Sequence, residues 1–429
     1  MQMNKKNISV FLWLISGIAF ASTDPRFREE SEGASDARFA VERVVIRAYE
    51  EVLQSGVHSG EQLVNAPISG QTDKRGRHLL SFAAFNHFPR LAQWGLDHGA
   101  DINLGDKDHA NMLRMSLGNF NGEMARFALE SGADPNIQMG SGNDTMLSGL
   151  LKWQWPVNGF VLAKEFGARP RSKKERQELL AYLNSLPITQ EEPAGFWSWV
   201  FPDHSDRREV IDYIKDAPLL RGELPSAGAG QLISSSMIDV MDRHILAAIN
   251  SGELTEIEMD AFQVKGKGFE AFLTFNGFTH SVIKRLATME RAKAVRVVKS
   301  LDVEGNDLLV AAIKSLNDEA VEAILAVTSE TVNALVSNSP YHYSSGQRPL
   351  HMAIQWEVPY RIFALLVSNG ANPALTNSRG ISAMKLLEYY RADWSKEPGK
   401  YERVKKLFDD SSGRSPAPKP GKKRKSRKG

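Results

Sequence analysis

The sequence predicts an all-α solenoid of short helix pairs, and three features predict it. A turn signature recurs at nearly fixed phase: Gly99-Ala100-Asp101-Ile102-Asn103 returns 33 residues later as Gly132-Ala133-Asp134-Pro135-Asn136, and after a further 35 as Gly167-Ala168-Arg169-Pro170. A fourth copy, Gly370-Ala371-Asn372-Pro373, stands near the other end. Each copy follows an amphipathic segment; from Leu91 to Leu96 and from Met124 to Leu129, apolar residues fall at three-to-four spacing, as in a helix with one buried face. A period of this length marks stacked repeats, none of which can bury its apolar face alone.

Within a repeat, glycine stops the helix by accepting a left-handed conformation, and Asp or Asn then redirects the chain. Ahead of the repeats, Lys5 and Lys6 precede an uncharged apolar run from Ile8 to Ala21 that ends in Ala19-Phe20-Ala21. The run is shorter than the roughly 20 residues a membrane span needs, and its layout is that of a secretory signal peptide over residues 1–21, cut after Ala21. Residues 22–72 read as a linker and a capping helix, with Phe39, Val44, Val45, Tyr49, Val52 and Leu53 on the apolar side between 37 and 54. No later stretch approaches 18 apolar residues, so a soluble mature chain without a membrane span is expected.

The repeats are placed at 73–171 and 267–410. The chain from 172 to 266 lacks the signature; it holds Phe196-Trp197-Ser198-Trp199-Val200-Phe201-Pro202 and a helix expected from Ile233 to Ile249. Two organisations fit it: degenerate repeats that continue the array, or an inserted helical module that interrupts it. Residues 411–429 have no apolar periodicity and eight basic residues, and are expected to be a disordered tail.

These motifs resemble the ankyrin-repeat family, whose repeat is a turn and two antiparallel helices opened by a Thr-Pro-Leu-His box. The best box is Arg348-Pro349-Leu350-His351; its equivalents are His78-Leu79-Leu80-Ser81, Asn111-Met112-Leu113-Arg114 and Thr145-Met146-Leu147-Ser148. Only the central Leu or its equivalent is kept throughout, so the repeats are divergent. The resemblance is clear over 73–170 and 346–390, and extends over 267–340 through Gly305 to Ile313 and Ala320 to Val327.

The resemblance implies protein binding, through the turns and through the residue pair that follows the small residues of the first helix. By phase, those pairs are Phe85-Asn86, Gly118-Asn119, Lys152-Trp153 and Gln355-Trp356, with turn residues Lys74, Arg75, Arg77, Lys107 and Asp108. Phe85, Trp153 and Trp356 are thereby expected at exposed positions, as interface anchors are. Trp155, Tyr341 and Tyr343 are weaker candidates.

No chemistry competes strongly with binding. Cysteine is absent and the ten histidines include no HExxH pair, so neither a thiol nucleophile nor a metal site is signalled, and no cofactor is expected. Asp203-His204-Ser205-Asp206 gathers catalytic residue types, but adjacent side chains diverge; the run reads as a helix start. Gly266-Lys267-Gly268 lacks the spacing of a phosphate loop and reads as a turn. Of 53 basic residues two lie in the leader and eight in the tail, against 51 acidic ones. The body is therefore acidic, which argues against nucleic acid as partner, while the tail is suited to anionic surfaces.

The expectation is a non-enzymatic, periplasmic protein-binding chain. An immunity protein that sequesters a secreted antibacterial toxin is one such protein; a periplasmic scaffold in stress defence, or a secreted effector acting in a host cell, are the alternatives.

Overall fold

The computed structural model describes residues 32–68, 77–106, 109–139, 144–186, 207–221, 236–264, 266–302, 306–336, 346–391, 394 and 399–412. The leader, the tail from 413 and the Phe196–Pro202 stretch lie outside them, as do His204 and Asp206. The chain forms two compact units, one ending at Phe269 and one beginning at Glu270. No helix among the described residues is long and apolar enough to cross a membrane.

The first unit opens with α1 (Glu32–Gln54). Ala37, Val41, Val44, Val45 and Ala48 are all buried on it, which is more than one stripe, because α1 is covered from more than one side. A short α2 (Gly60–Asn65) follows, opened by a capping box between Ser59 and Gln62.

Three helix pairs come next: α3 (Leu79–Phe85) with α4 (Pro89–Asp97), α5 (Met112–Gly118) with α6 (Gly122–Glu130), and α7 (Met146–Lys152) with α8 (Val157–Glu165). The first helices α3, α5 and α7 stack in sequence, burying Leu79, Met112 and Met146 together with Leu113, Leu117 and Leu150.

The turn inside each pair has one geometry. His87, Phe120 and Gln154 adopt positive φ of 55°, 55° and 56°. The next N–H then reaches back five residues, Phe88 to Ala83 O, Asn121 to Ser116 O and Trp155 to Leu150 O, at 2.8–2.9 Å. This is a Schellman stop built without glycine, and it reverses the chain onto its own first helix. The second helix stops in the same manner with glycine at the left-handed position, Gly99, Gly132 and Gly167.

Beyond the third pair, α9 (Lys173–Ser185) and α10 (Arg207–Asp216) close the end of the stack against α7 and α8. Tyr182 and Tyr213 donate their hydroxyls to the carbonyls of Trp155 and Ala168 at 3.0 and 2.7 Å. The chain then leaves the stack: α11 (Met237–Ser251) and α12 (Glu256–Ala261) pack along α1. Arg47 pairs there with Glu253, and His244 with Glu51. A small antiparallel hairpin, β1 (Gln263–Val264) and β2 (Lys267–Gly268), ends the unit.

The second unit takes up α13 (Phe269–Phe275) from its second residue, followed by α14 (Thr279–Thr288), α15 (Arg291–Lys299), α16 (Leu308–Lys314) and α17 (Asp318–Val327). After a 3₁₀ turn at Glu330–Asn333 come α18 (Pro349–Gln355), α19 (Tyr360–Ser368), α20 (Ala383–Tyr389) and α21 (Lys400–Ser412). Its pairs α13/α14, α16/α17 and α18/α19 repeat the left-handed stop at Gly277, Leu316 and Glu357. The end is closed by α21 on α19 and α20, with Phe363 meeting Trp394 and Phe408 edge to face.

Candidate functional site

The residue pairs expected to carry binding fall on the last residue and the C-cap of each first helix. Their fates differ according to the side chain. In the first unit Trp153 is the C-cap of α7 and is half-buried. Its indole lies against two residues without side chains: a Cβ on Gly149 would come 2.7 Å from Trp153 Cζ3, and one on Gly118, in the preceding repeat, 3.5 Å from Cζ2. Two glycines on successive first helices thus make a seat for a large amphipathic ring that stays partly exposed. Beside it Lys152 is exposed and bonds Asp144 at 3.0 Å, and Asn119 is half-buried with its Nδ2 unbonded.

Asn86 corrects the expectation of exposure. It is buried, and its amide donates back to the Phe82 carbonyl at 3.0 Å. Asn276 at the same position of α13 does the same with Phe272. A short amide can satisfy the last helical turn and fold inward; an indole cannot, and stays outside. Phe85 is half-buried beneath two cations, with Arg77 and Lys267 each 5.4 Å from its ring centre, so its face is covered within the chain. Trp155 is a second correction: it is fully buried, donates Nε1–H to Leu117 O at 3.0 Å and stacks on Phe120. Lys74, Arg75, Lys107, Asp108, Tyr341 and Tyr343 lie outside the described residues.

In the second unit Trp356 is the C-cap of α18 and is 37% exposed, next to a half-buried Gln355. One repeat later, Tyr390 is the C-cap of α20 and Tyr389 is 64% exposed. This second aromatic pair escaped the sequence reading. Its signal was present: Ser382, which accepts from Lys385 N at 3.3 Å, opens a first helix in the same phase as Arg348.

Burial lowers the pKa of both box-region imidazoles, His78 and His351, which favours their neutral forms. Each donates Nε2–H to the carbonyl of a later loop, Gly105 at 3.1 Å and Ile381 at 2.8 Å. Their work is to tie one repeat to the next. Among the described residues no group of three or more His, Asp or Glu is placed to hold a metal ion.

No family model and no curated protein matches the sequence. Solved structures do: an ankyrin-repeat domain from Acinetobacter baumannii, at 14% identity and TM-score 0.26, covers 77% of this chain and 96% of its own. The ankyrin-repeat domain of Bcl-3, a member of the IκB family, gives 14% and 0.26 with 78% and 100% coverage. That of human ASB11 gives 14% and 0.25 with 79% and 100%.

What decides the fold is a ladder of asparagines in this chain itself. Asn65 Oδ1 accepts from Asp101 N, Asn103 from Asp134 N, and Asn136 from Arg169 N, at 2.7–2.9 Å. In the second unit Asn333 accepts from Asn372 N at 2.9 Å. This is the ankyrin-repeat fold. Within each ankyrin turn the first residue of the D-x-N run also accepts from the N–H two residues on, Asp101 from Asn103 and Asp134 from Asn136. One side chain thus shapes its own turn while the other tethers the next. The ankyrin array of the first unit stops where the ladder does: Arg169 receives the last rung, and Arg171 has no amide to pass it on.

Proposed function

We propose that this chain is a non-enzymatic ankyrin-repeat binding protein that holds a protein partner on aromatic surfaces at the first-helix C-caps. The observation that carries this reading is the Trp153 indole, kept half outside by the Gly118–Gly149 seat. A rigid amphipathic ring on a preformed backbone loses little freedom on binding, which is how interface anchors gain affinity. Trp356 with Tyr389 supplies a comparable surface in the second unit.

The cellular reading that fits best is a periplasmic immunity protein that sequesters a secreted antibacterial toxin. It is supported by the leader of Lys5, Lys6 and the apolar run to Ala21, and by the acidic body. Affinity capture with the chain as cells process it, from periplasmic extract and from culture supernatant, tests binding directly. One abundant protein retained by the wild type and lost by Trp153→Ala with Trp356→Ala is the expected result. Retention by the double variant sinks the aromatic surfaces. Cells lacking the protein are expected to succumb to attack by their kin; if they resist as the parent does, the immunity role is wrong, and peroxide sensitivity or export to a host distinguishes the stress-scaffold and effector roles.

A further inference from the structure

The second unit carries a partly open cavity of about 290 Å³. It lies between the end of α15, the start of α16 and the 3₁₀ turn. Val310, Ala334 and Val336 line it, and all three are buried. Leu301 and Leu335 form an apolar rim that is 55% and 48% exposed. An ion pair between Lys299 and Glu330 stands at the same cavity.

Two polar groups in its wall are less ordinary. Thr331 is 6% exposed, and its Oγ1 is buried without a hydrogen-bond partner. Asp307 is 8% exposed and spends Oδ1 on Val310 N, at 2.8 Å, to cap α16. A buried hydroxyl left unbonded costs free energy that a bound group able to pair with it would restore. Thr331 can donate or accept, while an ionised Asp307 only accepts, so a hydroxyl, which does both, matches the pair. An ammonium would match Asp307 too, but only by desolvating a charge beside Lys299.

We infer that this cavity is a binding site for a small neutral apolar group that carries a hydroxyl and is about one ring in size, such as a phenol. Its volume lies at the lower end of ligand pockets and admits a single ring with its substituents. The apolar rim covers the ring's body, and the hydroxyl meets Thr331 and Asp307 in the wall. Such a group can arrive as a free phenolic compound or as a tyrosine side chain.

The test is a methyl-labelled spectrum of the full chain, following Val310, Ala334 and Val336 during titration with p-cresol, toluene and 4-methylbenzylamine. p-Cresol is expected to shift these methyls saturably and to bind roughly five- to tenfold more tightly than toluene, the size of one neutral hydrogen bond. Thr331→Val, which keeps the shape and removes the unbonded hydroxyl, should weaken p-cresol by a similar factor while leaving the fold intact. Asp307→Asn preserves the helix cap and should weaken it as well. N-acetyltyrosine methylamide separates the sources: binding comparable to p-cresol identifies a tyrosine side chain, and failure beside a p-cresol success identifies a free phenol. Equal binding of toluene, tighter binding of the amine, or no shift with any probe overturns the inference. None of these results bears on Trp153, because no partner protein enters the experiment.

Discussion

Glu42, on α1, accepts a hydrogen bond from the backbone N–H of Leu91 in the first turn of α4 at 2.7 Å. Phe88, the N-cap of α4, has no side-chain bond to offer, so a carboxyl from another helix supplies it. Glu42 is fully buried and its Oε2 has no partner. Burial pushes its pKa up to about 7, against the opposing pull of the Leu91 N–H, Arg38 and Arg90. The folded chain therefore holds a proton at pH values where the unfolded carboxyl, near 4.5, has released it. The contribution of Glu42 to stability is fully present below that lower value, falls as pH rises through the window from 4.5 to 7, and is lost above it. A shift of this size corresponds to roughly 3 kcal/mol. Glu42→Gln keeps an acceptor for Leu91 and removes the titration. Urea midpoints of the variant should be flatter than wild type between pH 5 and 7 and higher at pH 8; a wild-type midpoint that climbs with pH through this window, unmatched by the variant, contradicts the assignment.

The asparagine ladder gives a second expectation. Asn103→Ala removes the acceptor of the Asp134 N–H at a half-buried junction between repeats. The loss should be about 1–2 kcal/mol, the value of one hydrogen bond plus the cost of an amide left without its partner. Hydrogen exchange at the Asp134 amide should quicken far more than exchange inside α6. Unchanged protection at that amide would show that the rung carries no tension between repeats.

Much of this architecture is legible in the residues. Gly99, Asp101 and Asn103 each have one local task, a left-handed stop, an Asx turn and a tether, and only certain side chains can perform each. That is why the signature survives while the boxes drift. The turn inside each pair is not legible, because His87, Phe120 and Gln154 take up the left-handed stop that glycine would have announced. Nor is the path of the middle stretch: α11 lies along α1 through contacts between residues about two hundred apart, such as His244 with Glu51, and no local periodicity encodes a partner at that distance. At the candidate surface, phase located the right positions, but the outcome depended on size. Asn86 could turn inward where Trp153 could not.

The second unit contains a buried ion pair. Arg285 on α14 donates Nε–H to Glu270 Oε1 on α13 at 3.1 Å, with side-chain exposures of 1% and 9%. Glu270→Ala takes the anionic partner from a buried guanidinium and should cost about 3–5 kcal/mol. Replacing both residues with methionine should recover most of that loss, since apolar packing of similar volume needs no desolvated charge. Chemical denaturation of the three variants decides it; a double variant no better than Glu270→Ala would mean the pair is needed to place α14 on α13.

Gly149 offers a way to move Trp153 without deleting it. A methyl there would sit 2.7 Å from Cζ3 of the indole, inside any tolerable contact, so the ring must swing off its seat. The backbone of α7 gains helix propensity from alanine, by roughly 0.5–1 kcal/mol, which offsets part of the lost ring contact. Gly149→Ala should therefore fold with a urea midpoint close to wild type. With 5-fluorotryptophan incorporated, the Trp153 fluorine resonance should move strongly while those of the other tryptophans hold. If Trp153 is the anchor, capture of the partner should fall about tenfold or more, as for truncation of an interface hot spot. A displaced resonance with undiminished capture would separate the ring's position from binding, and would leave the second unit's Trp356 and Tyr389 as the surface to examine.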